Sequence, residues 1–425
     1  MKLEFNITCV IISIKLKEVI VMSVKYDAIN LPLVYVNEKW LNGESGVSNI
    51  LMMNCALENR TRLINWIKSQ GFKITHDVNN LPDDTIYITE DWDFCDNLEL
   101  DNPVKKLKRH EEEKEKINLA CGQLLLRPKT YTFESFCQMN ETFRETLYPV
   151  VFKNELVDTC MDKYRLDTPE QFEMIRQFYY SVAQKNSLEY IFKGCTIQQF
   201  IESPTERYSY IRILMCASGD IMVPVLKYSD SVVSPRTHRG HLDKYFLDKC
   251  SEYFLNSQPL FNYTSTGGLI FLDKPCYDPL ERRILTAHQI DPDNPKVPGE
   301  ILTTSPIIAR TLNKILISAH EYMYNDRDGK WYFLEQNTNP ALMEYANAVG
   351  MPLSTEADNI NLDCGARSDA FEMVLMSKNK QFAQRESSNT QKLGSGLELD
   401  YTLRLIKENG ELGSGFGPKL VRFIR

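Results

Sequence analysis

The chain predicts a mixed α/β protein built from more than one lobe, and three observations carry that prediction. Helical and strand-like patterns alternate along its length, as where "ENRTRLINWIKSQGF" is followed by "DDTIYITEDW". At 425 residues the chain exceeds what one hydrophobic core usually organises. Its 43% hydrophobic and 25% charged content is that of an ordinary soluble globular protein, and 19 glycines with 19 prolines exclude collagen-like and low-complexity classes.

Taken in order, "NILMMNC" reads as a short apolar strand, "ENRTRLINWIKSQGF" as a helix and "DDTIYITEDW" as a second strand, which makes a small open α/β lobe. "VKKLKRHEEEKEKINLACG" is a charged helix ending near Gly122. "YPVVFK" reads as a strand, "TPEQFEMIRQFYYSVAQK" as a helix and "GCTIQQFIES" as a strand. "IRILMCA" and "IMVPVLKY", separated by Ser218, Gly219 and Asp220, form an antiparallel hairpin. "HQIDPDNPKVPGE" is turn-rich and belongs on a surface loop. "SPIIARTLNKILISA" reads as a helix leading into two strands that flank the turn from Asn325 to Gly329. "SDAFEMVLMSK" is a further helix with Ser368 as N-cap, and the polar tail from Gln381, with two "LGSG" turns, is an extension or a late hairpin.

Charge and cysteine usage narrow the partners. Acidic residues outnumber basic ones by 57 to 49, a formal charge of -8 that gives no global attraction to nucleic acid. The 11 cysteines run from Cys9 to Cys364 without a CxxC pair or zinc-finger spacing, as expected of a reduced, cytoplasmic chain. The opening "MKLEFNITCVIISIKLKEVIVM" is interrupted by Lys15 and Lys17, lacks a cleavage site for secretion and is too short to span a bilayer. It reads as an edge strand or extension, with Met22 as a second candidate start and no membrane role. Oligomeric state is not legible, and a homo-oligomer stays open.

The strongest chemical signal is "KWYFLEQNTNP", which places Glu335 and Asn337 on one face of a strand. A carboxylate and an amide oxygen two residues apart suit a hard cation such as magnesium. If the hairpin closes over "NDRDGK", Glu321 comes beside Glu335, and like charges on adjacent strands ask for a cation. Solvated surface carboxylates fit the spacing equally well. Lys153 ends the apolar strand "YPVVFK" and would hold a compact positive charge for a phosphate, although a snorkelling lysine fits as well. Around Gln199 to Ile201 an extended segment would offer main-chain groups to adenine, with Glu202 or Glu206 near ribose hydroxyls. "HRGH", with His238 and His241 beside Arg236 and Arg239, reads as a solvated loop before it reads as an anion or metal site. No GxSxG, Walker loop or GxGxxG is present.

From about Lys105 to Pro352 this order of pieces resembles the ATP-grasp superfamily: "YPVVFK", "TIQQFIES", "SYIRILMCASGDIMVPVLKY", "NYTSTGG", "AHEYM" and "FLEQNTNP". The resemblance implies an α+β ATP-grasp fold, with a small N-terminal lobe over residues 1–100, a central lobe over 101–205, a C-terminal lobe over 206–380 and an extension over 381–425. It implies ATP and Mg2+ as cofactors, and small-molecule or peptide carboxylate and amine substrates. Lys153 would contact the α and β phosphates, assisted by Lys114, with Lys108 and Lys116 as alternatives. Gln199, Phe200 and Ile201 would form the adenine-holding linker, with Glu202 beside the ribose. Arg212 and Lys227 would neutralise the γ-phosphoryl group and an acyl phosphate, and Asn262 would lie by the same phosphates, next to Gly267 and Gly268. Glu321, Glu335 and Asn337 would bind magnesium.

Two departures stand out. The stretch "NELVDTCMDKYRLDTPEQF", where the family usually has a glycine-rich lid, has no glycine, and Lys163 or a hydroxyl would have to substitute. Glu321 stands where aspartate is more usual. The resemblance therefore points to an ATP-dependent carboxylate-amine ligase, with a nucleotide-binding regulatory protein lacking ligase activity as the alternative.

Overall fold

The computed structural model describes residues 31–42, 50–88, 103–154, 163–186, 195–229, 258–259, 268–312, 314–338, 340, 342–348 and 356–389. The N-terminal segment, the "HRGH" region, Asn262 and the tail after Asn389 lie outside them.

The first lobe contains β1 (Val34–Val36), α1 (Glu38–Asn42), α2 (Ile50–Ser69), β2 (Ile74–Thr75) and β3 (Ile86–Ile88), with a parallel sheet in the order β2-β1-β3. The opening strand is "VYV". "NILMMNC" instead supplies the first turns of α2, because Leu51, Met52 and Met53 are strong helix formers and Ile50 is the run's one β-branched residue. Ala56, Arg60, Leu63, Ile64 and Ile67 recur at helical spacing on the buried face of α2.

Helix α3 (Pro103–Cys121) ends at Gly122, whose φ of +54° suits a residue without a Cβ. Next come β4 (Thr130–Thr132), α4 (Phe133–Gln138), α5 (Glu141–Glu145), β5 (Val150–Asn154), β6 (Lys163–Leu166), α6 (Pro169–Asn186) and β7 (Cys195–Gln199). Their core is aromatic, Phe133, Phe136, Phe152 and Phe172 meeting in tilted and edge-on pairs.

The hairpin of β8 (Ser209–Cys216) and β9 (Ile221–Tyr228) turns at Gly219, φ +85°. The short β10 (Gln258–Pro259) returns to the edge of the preceding antiparallel sheet, giving the order β10-β6-β5-β7-β4. Then follow β11 (Leu269–Phe271), α7 (Pro279–Ala287), α8 (Gly299–Thr311), β12 (Ile317–Asn325), β13 (Lys330–Asn337), α9 (Leu342–Ala348) and α10 (Glu356–Asn389). The second antiparallel sheet has the order β11-β9-β8-β12-β13.

Three sequence expectations change here. The helix expected over "SPIIARTLNKILISA" starts earlier and stops at Thr311, and "ISA" opens β12. Pro306 sits inside that helix, where it has no amide to donate one turn back to Leu302, an exposed residue. Ser368 is no N-cap: it is buried within α10, which continues through the 380/381 position to Asn389. Helix α7 was not foreseen, although Asp278 caps it by accepting from the Leu280 and Glu281 amides and Pro279 occupies its first turn.

The β8–β12 sheet has two unlike faces. Ile211, Ile213, Met215, Tyr322, Tyr324, Trp331 and Phe333 pack beneath α3, α7 and α8. On the other face Leu214, Cys216, Val223, Val225, Ile317 and Ala319 join the first lobe and α10 in one core. The apolar side chains of that second core give way to polar ones at Arg212, Lys227 and Glu321, where Glu344 of α9 meets both cations. No helix among the described residues is long and apolar enough to cross a membrane.

His288, just after α7, is buried against Trp331, with ring centroids 5.9 Å apart. Its Nδ1 lies 2.8 Å from the Ile284 carbonyl and its Nε2 3.0 Å from the Ser209 hydroxyl. Burial pulls its pKa down to about 4, against the opposing pull of the Ile284 carbonyl and Asp326. Below the ordinary value of 6.5 the unfolded chain therefore binds the proton that the folded chain refuses, and stability falls as pH falls. The expected loss through this residue is roughly 2 kcal/mol by about pH 5. Melting temperatures of wild type and His288→Asn at about pH 7.5 and 5 check it, the variant showing the shallower acid slope.

Candidate functional site

A cleft open to solvent separates the two antiparallel sheets. One wall carries Val151 and Lys153 from β5 with Gln198 and Gln199 from β7, and the opposite wall carries Tyr208, Glu321, Met323, Leu334 and Glu335. Phe200 and Ile201 close the end where the chain crosses from one sheet to the other.

Strand alternation aims these side chains. On β5, Phe152 points into the aromatic core, so Val151 and Lys153 point into the cleft. On β12, Tyr322 and Tyr324 take the core face, so Glu321 and Met323 take the other. Strand β13 breaks the rule: Phe333 is in the core, yet Glu335, two residues on, lines the cleft. The cause is a bulge. Glu321 pairs with Glu335 and Tyr322 with Phe333, leaving Leu334 as an extra residue opposite them. Without it Glu335 would follow Phe333 into the apolar core. The hairpin thus seats Glu321 opposite Glu335, and Arg212 of β8 pairs with Glu321 from the other side.

Arg212 is 5% exposed and ion-pairs Glu321 (Nε to Oε1, 3.6 Å) and Glu344 of α9 (Nη1 to Oε2, 3.6 Å). Neither contact is of hydrogen-bond length, and Nε has no hydrogen-bond partner. Burial works against its charge, and Tyr345, Glu321, Tyr210 and Glu344 outweigh it, so the guanidinium stays charged. Lys227 of β9 donates to both carboxylate oxygens of Glu344, at 2.7 and 2.9 Å. Tyr210, paired in register with Lys227, has its phenol held protonated by burial and by the charge of Glu321.

At the crossover, Gln199 is held by Lys129: its amide donates to the Lys129 carbonyl at 2.8 Å, and its side-chain oxygen accepts from the Lys129 amide at 3.2 Å. The Arg165 guanidinium lies 4.3 Å from the Phe200 ring centroid. Glu202 points away to the β12–β13 turn. It pairs with Arg327 at 2.5 Å, and its carbonyl accepts from the Asp326 amide at 3.0 Å.

The structure thus brings Lys153, Gln199, Phe200, Ile201, Glu321 and Glu335 to one cleft, with Arg212 and Lys227 behind Glu321 on adjoining strands. Asn337 follows Glu335 along β13 and pairs in register with Ala319, beyond the residues that line the cleft. Lys114 does not line the cleft; Ile117 and Cys121 of its helix pack on the opposite face of the sheet. Glu202 and the exposed Glu206 do not line it either. Asn262 lies outside the described residues, as does Gly267. At Gly268 the lack of a side chain makes room for Tyr228, whose ring a Cβ would strike. Glu344, Tyr208, Met323 and Leu334 were not foreseen. Glu344 meets Lys227 across 117 positions, a pairing that no local spacing could signal.

No family model and no curated relative matches this sequence. Among solved structures it is similar in fold to several ATP-grasp ligases. The ligase PsnB complexed with a minimal precursor shares 9% identity over 77% of this chain and 97% of that one, at a TM-score of 0.36. The D-alanine–D-alanine ligase of Bacillus anthracis, complexed with ATP, shares 11% over 83% and 98%, at 0.32. The macrocyclase MdnC of Microcystis aeruginosa, bound with precursor peptide MdnA, shares 14% over 78% and 97%, at 0.33. At such identities and TM-scores the likeness assigns neither family nor function to this chain.

The depth of the two cations separates their energetic roles. Arg212→Ala leaves Glu321, 12% exposed, beside a lost charge and is expected to cost about 3 kcal/mol of stability. Lys227→Ala loses a contact to the more open Glu344 and should cost below about 1 kcal/mol. Urea unfolding of both variants measures the difference.

Proposed function

We propose that this chain is an ATP- and magnesium-dependent ligase that joins a carboxylate to an amine, of an amino acid or peptide, through an acyl-phosphate intermediate. The observation that supports this most is the meeting of Lys153 from one sheet with Glu321 and Glu335 from the other across a single cleft.

Two carboxylates seated opposite each other on adjacent strands, with an amide oxygen two residues further on, fit a hard divalent cation. Among the described residues no group of three or more His, Cys, Asp or Glu side chains could hold a metal. The fit is to magnesium, which takes few protein carboxylates and completes its shell with phosphate oxygens and water. Glu321, Glu335 and Asn337 would hold it, and when bound it supplies charge neutralisation between the phosphates.

The chain's own residues do the rest by positioning and charge, as phosphoryl transfer requires. Lys153 provides a compact cation on a fixed strand for the inner phosphates. Phe200 and Ile201 give the base an apolar seat at the crossover. Arg212 and Lys227 face charge that develops on the transferred phosphoryl group and then on the acyl phosphate, with no protein nucleophile needed. Captured by an amine, the acyl phosphate yields an amide and free phosphate.

Purified protein with ATP, magnesium and pooled amino acids or peptides is expected to release ADP and phosphate. Glu335→Gln should lower that rate by about a hundredfold or more, and Lys153→Met should weaken ATP binding by about tenfold or more. Absence of ADP release with every carboxylate and amine pair, together with nucleotide binding that ignores both substitutions, would sink the reading.

A further inference from the structure

Glu344 has no part in the roles given above, yet it is the group that Arg212 and Lys227 share. One oxygen, Oε2, stands 2.7 Å from the Lys227 ammonium and 3.6 Å from Arg212 Nη1, so a single carboxylate spans both cations. We propose that Glu344 is an internal substitute for the ligand's anion, occupying the Arg212–Lys227 site until the terminal phosphoryl group of a bound triphosphate displaces it.

Three observations point to exchange and not to a permanent brace. The two cations sit on strands paired on both sides, β8 between β9 and β12 and β9 between β8 and β11, and are fixed by the sheet. The Glu344 side chain is 39% exposed against 6% for Arg212, so the carboxylate already borders water and has a path into it, whereas the guanidinium does not. Arg212 is also poorly satisfied where it is: both of its carboxylate contacts are 3.6 Å long, and Nε makes no hydrogen bond. Glu344 presents one oxygen to Arg212 while both of its oxygens face Lys227, and a phosphoryl group, with a further oxygen, would complete donors of Arg212 that the carboxylate leaves open. The site adjoins the cleft through Glu321, which touches Arg212 and lines the cleft wall.

The consequence is selectivity for chain length. A diphosphate has no group to reach Arg212 and Lys227, so it binds without competing with Glu344; a triphosphate must compete. This rests on the ligase reading and its placement of the terminal phosphate. The test is calorimetric titration of the full chain with the magnesium complexes of ADP and of a nonhydrolysable ATP analogue. Glu344→Gln is expected to tighten the triphosphate roughly fivefold, the size of a partly exposed ion pair, and to leave ADP unchanged. Glu344→Asp, which keeps the charge on a shorter arm and guards against misfolding of the glutamine variant, should give a smaller gain in the same direction. Equal shifts for both nucleotides, or a triphosphate bound no tighter by either variant, would overturn the proposal while the ligase reading stands. A wild-type chain that binds neither nucleotide would overturn the ligase reading and this proposal with it.

Discussion

Arg212, Glu321 and Glu335 lie in register across three neighbouring strands, and the rest of the site is arranged around that row. A buried guanidinium next to one carboxylate, itself opposite a second, is a costly arrangement in an apolar sheet. It is tolerable because the row sits where the core of the first lobe and α10 ends and the cleft begins. Moved two residues along β8 and β12, the same charges would fall among Leu214 and Ala319. The boundary of the apolar core therefore fixes where chemistry can be placed.

The crossover between the sheets depends on a second set of contacts. Gln199 is tied to Lys129 on one side, and Glu202 is tied to Arg327 and Asp326 on the other. Beyond it, the hydroxyls of Ser203, Thr205 and Ser209 all reach the Arg207 carbonyl. The short stretch from Phe200 to Ile201 is thus held at both ends by groups from different sheets. Its place at the end of the cleft follows from these anchors more than from its own sequence.

Much of the scaffold was legible because it follows period and turn chemistry. The Gly219 hairpin and the strand carrying Lys153 follow from alternation and a turn residue, whereas the pairing of Glu321 with Glu335 also needs the bulge at Leu334, which no pattern announces. What was illegible has physical causes. "NILMMNC" is apolar without a period, and a strand and a helix start are hard to tell apart in seven residues. Pro306 looked like a helix start because proline suits a first turn, and here it is tolerated in mid-helix. Lys114 lies on a helix rich in lysine, where nothing local marks which side meets a cleft. Glu344 joins strands more than a hundred positions earlier, a contact only tertiary folding creates.

The extra residue at Leu334 makes the parity of β13 matter. Upstream of it the strand is in step with its aromatic core; downstream it is in step with the cleft. Adding or removing residues in the Asp326–Gly329 turn alters a surface loop, but a single insertion or deletion between Phe333 and Glu335 would exchange inside for outside for every side chain that follows. Natural variants of this chain should therefore differ scarcely at all in the count of residues separating the last core aromatic from the first acid.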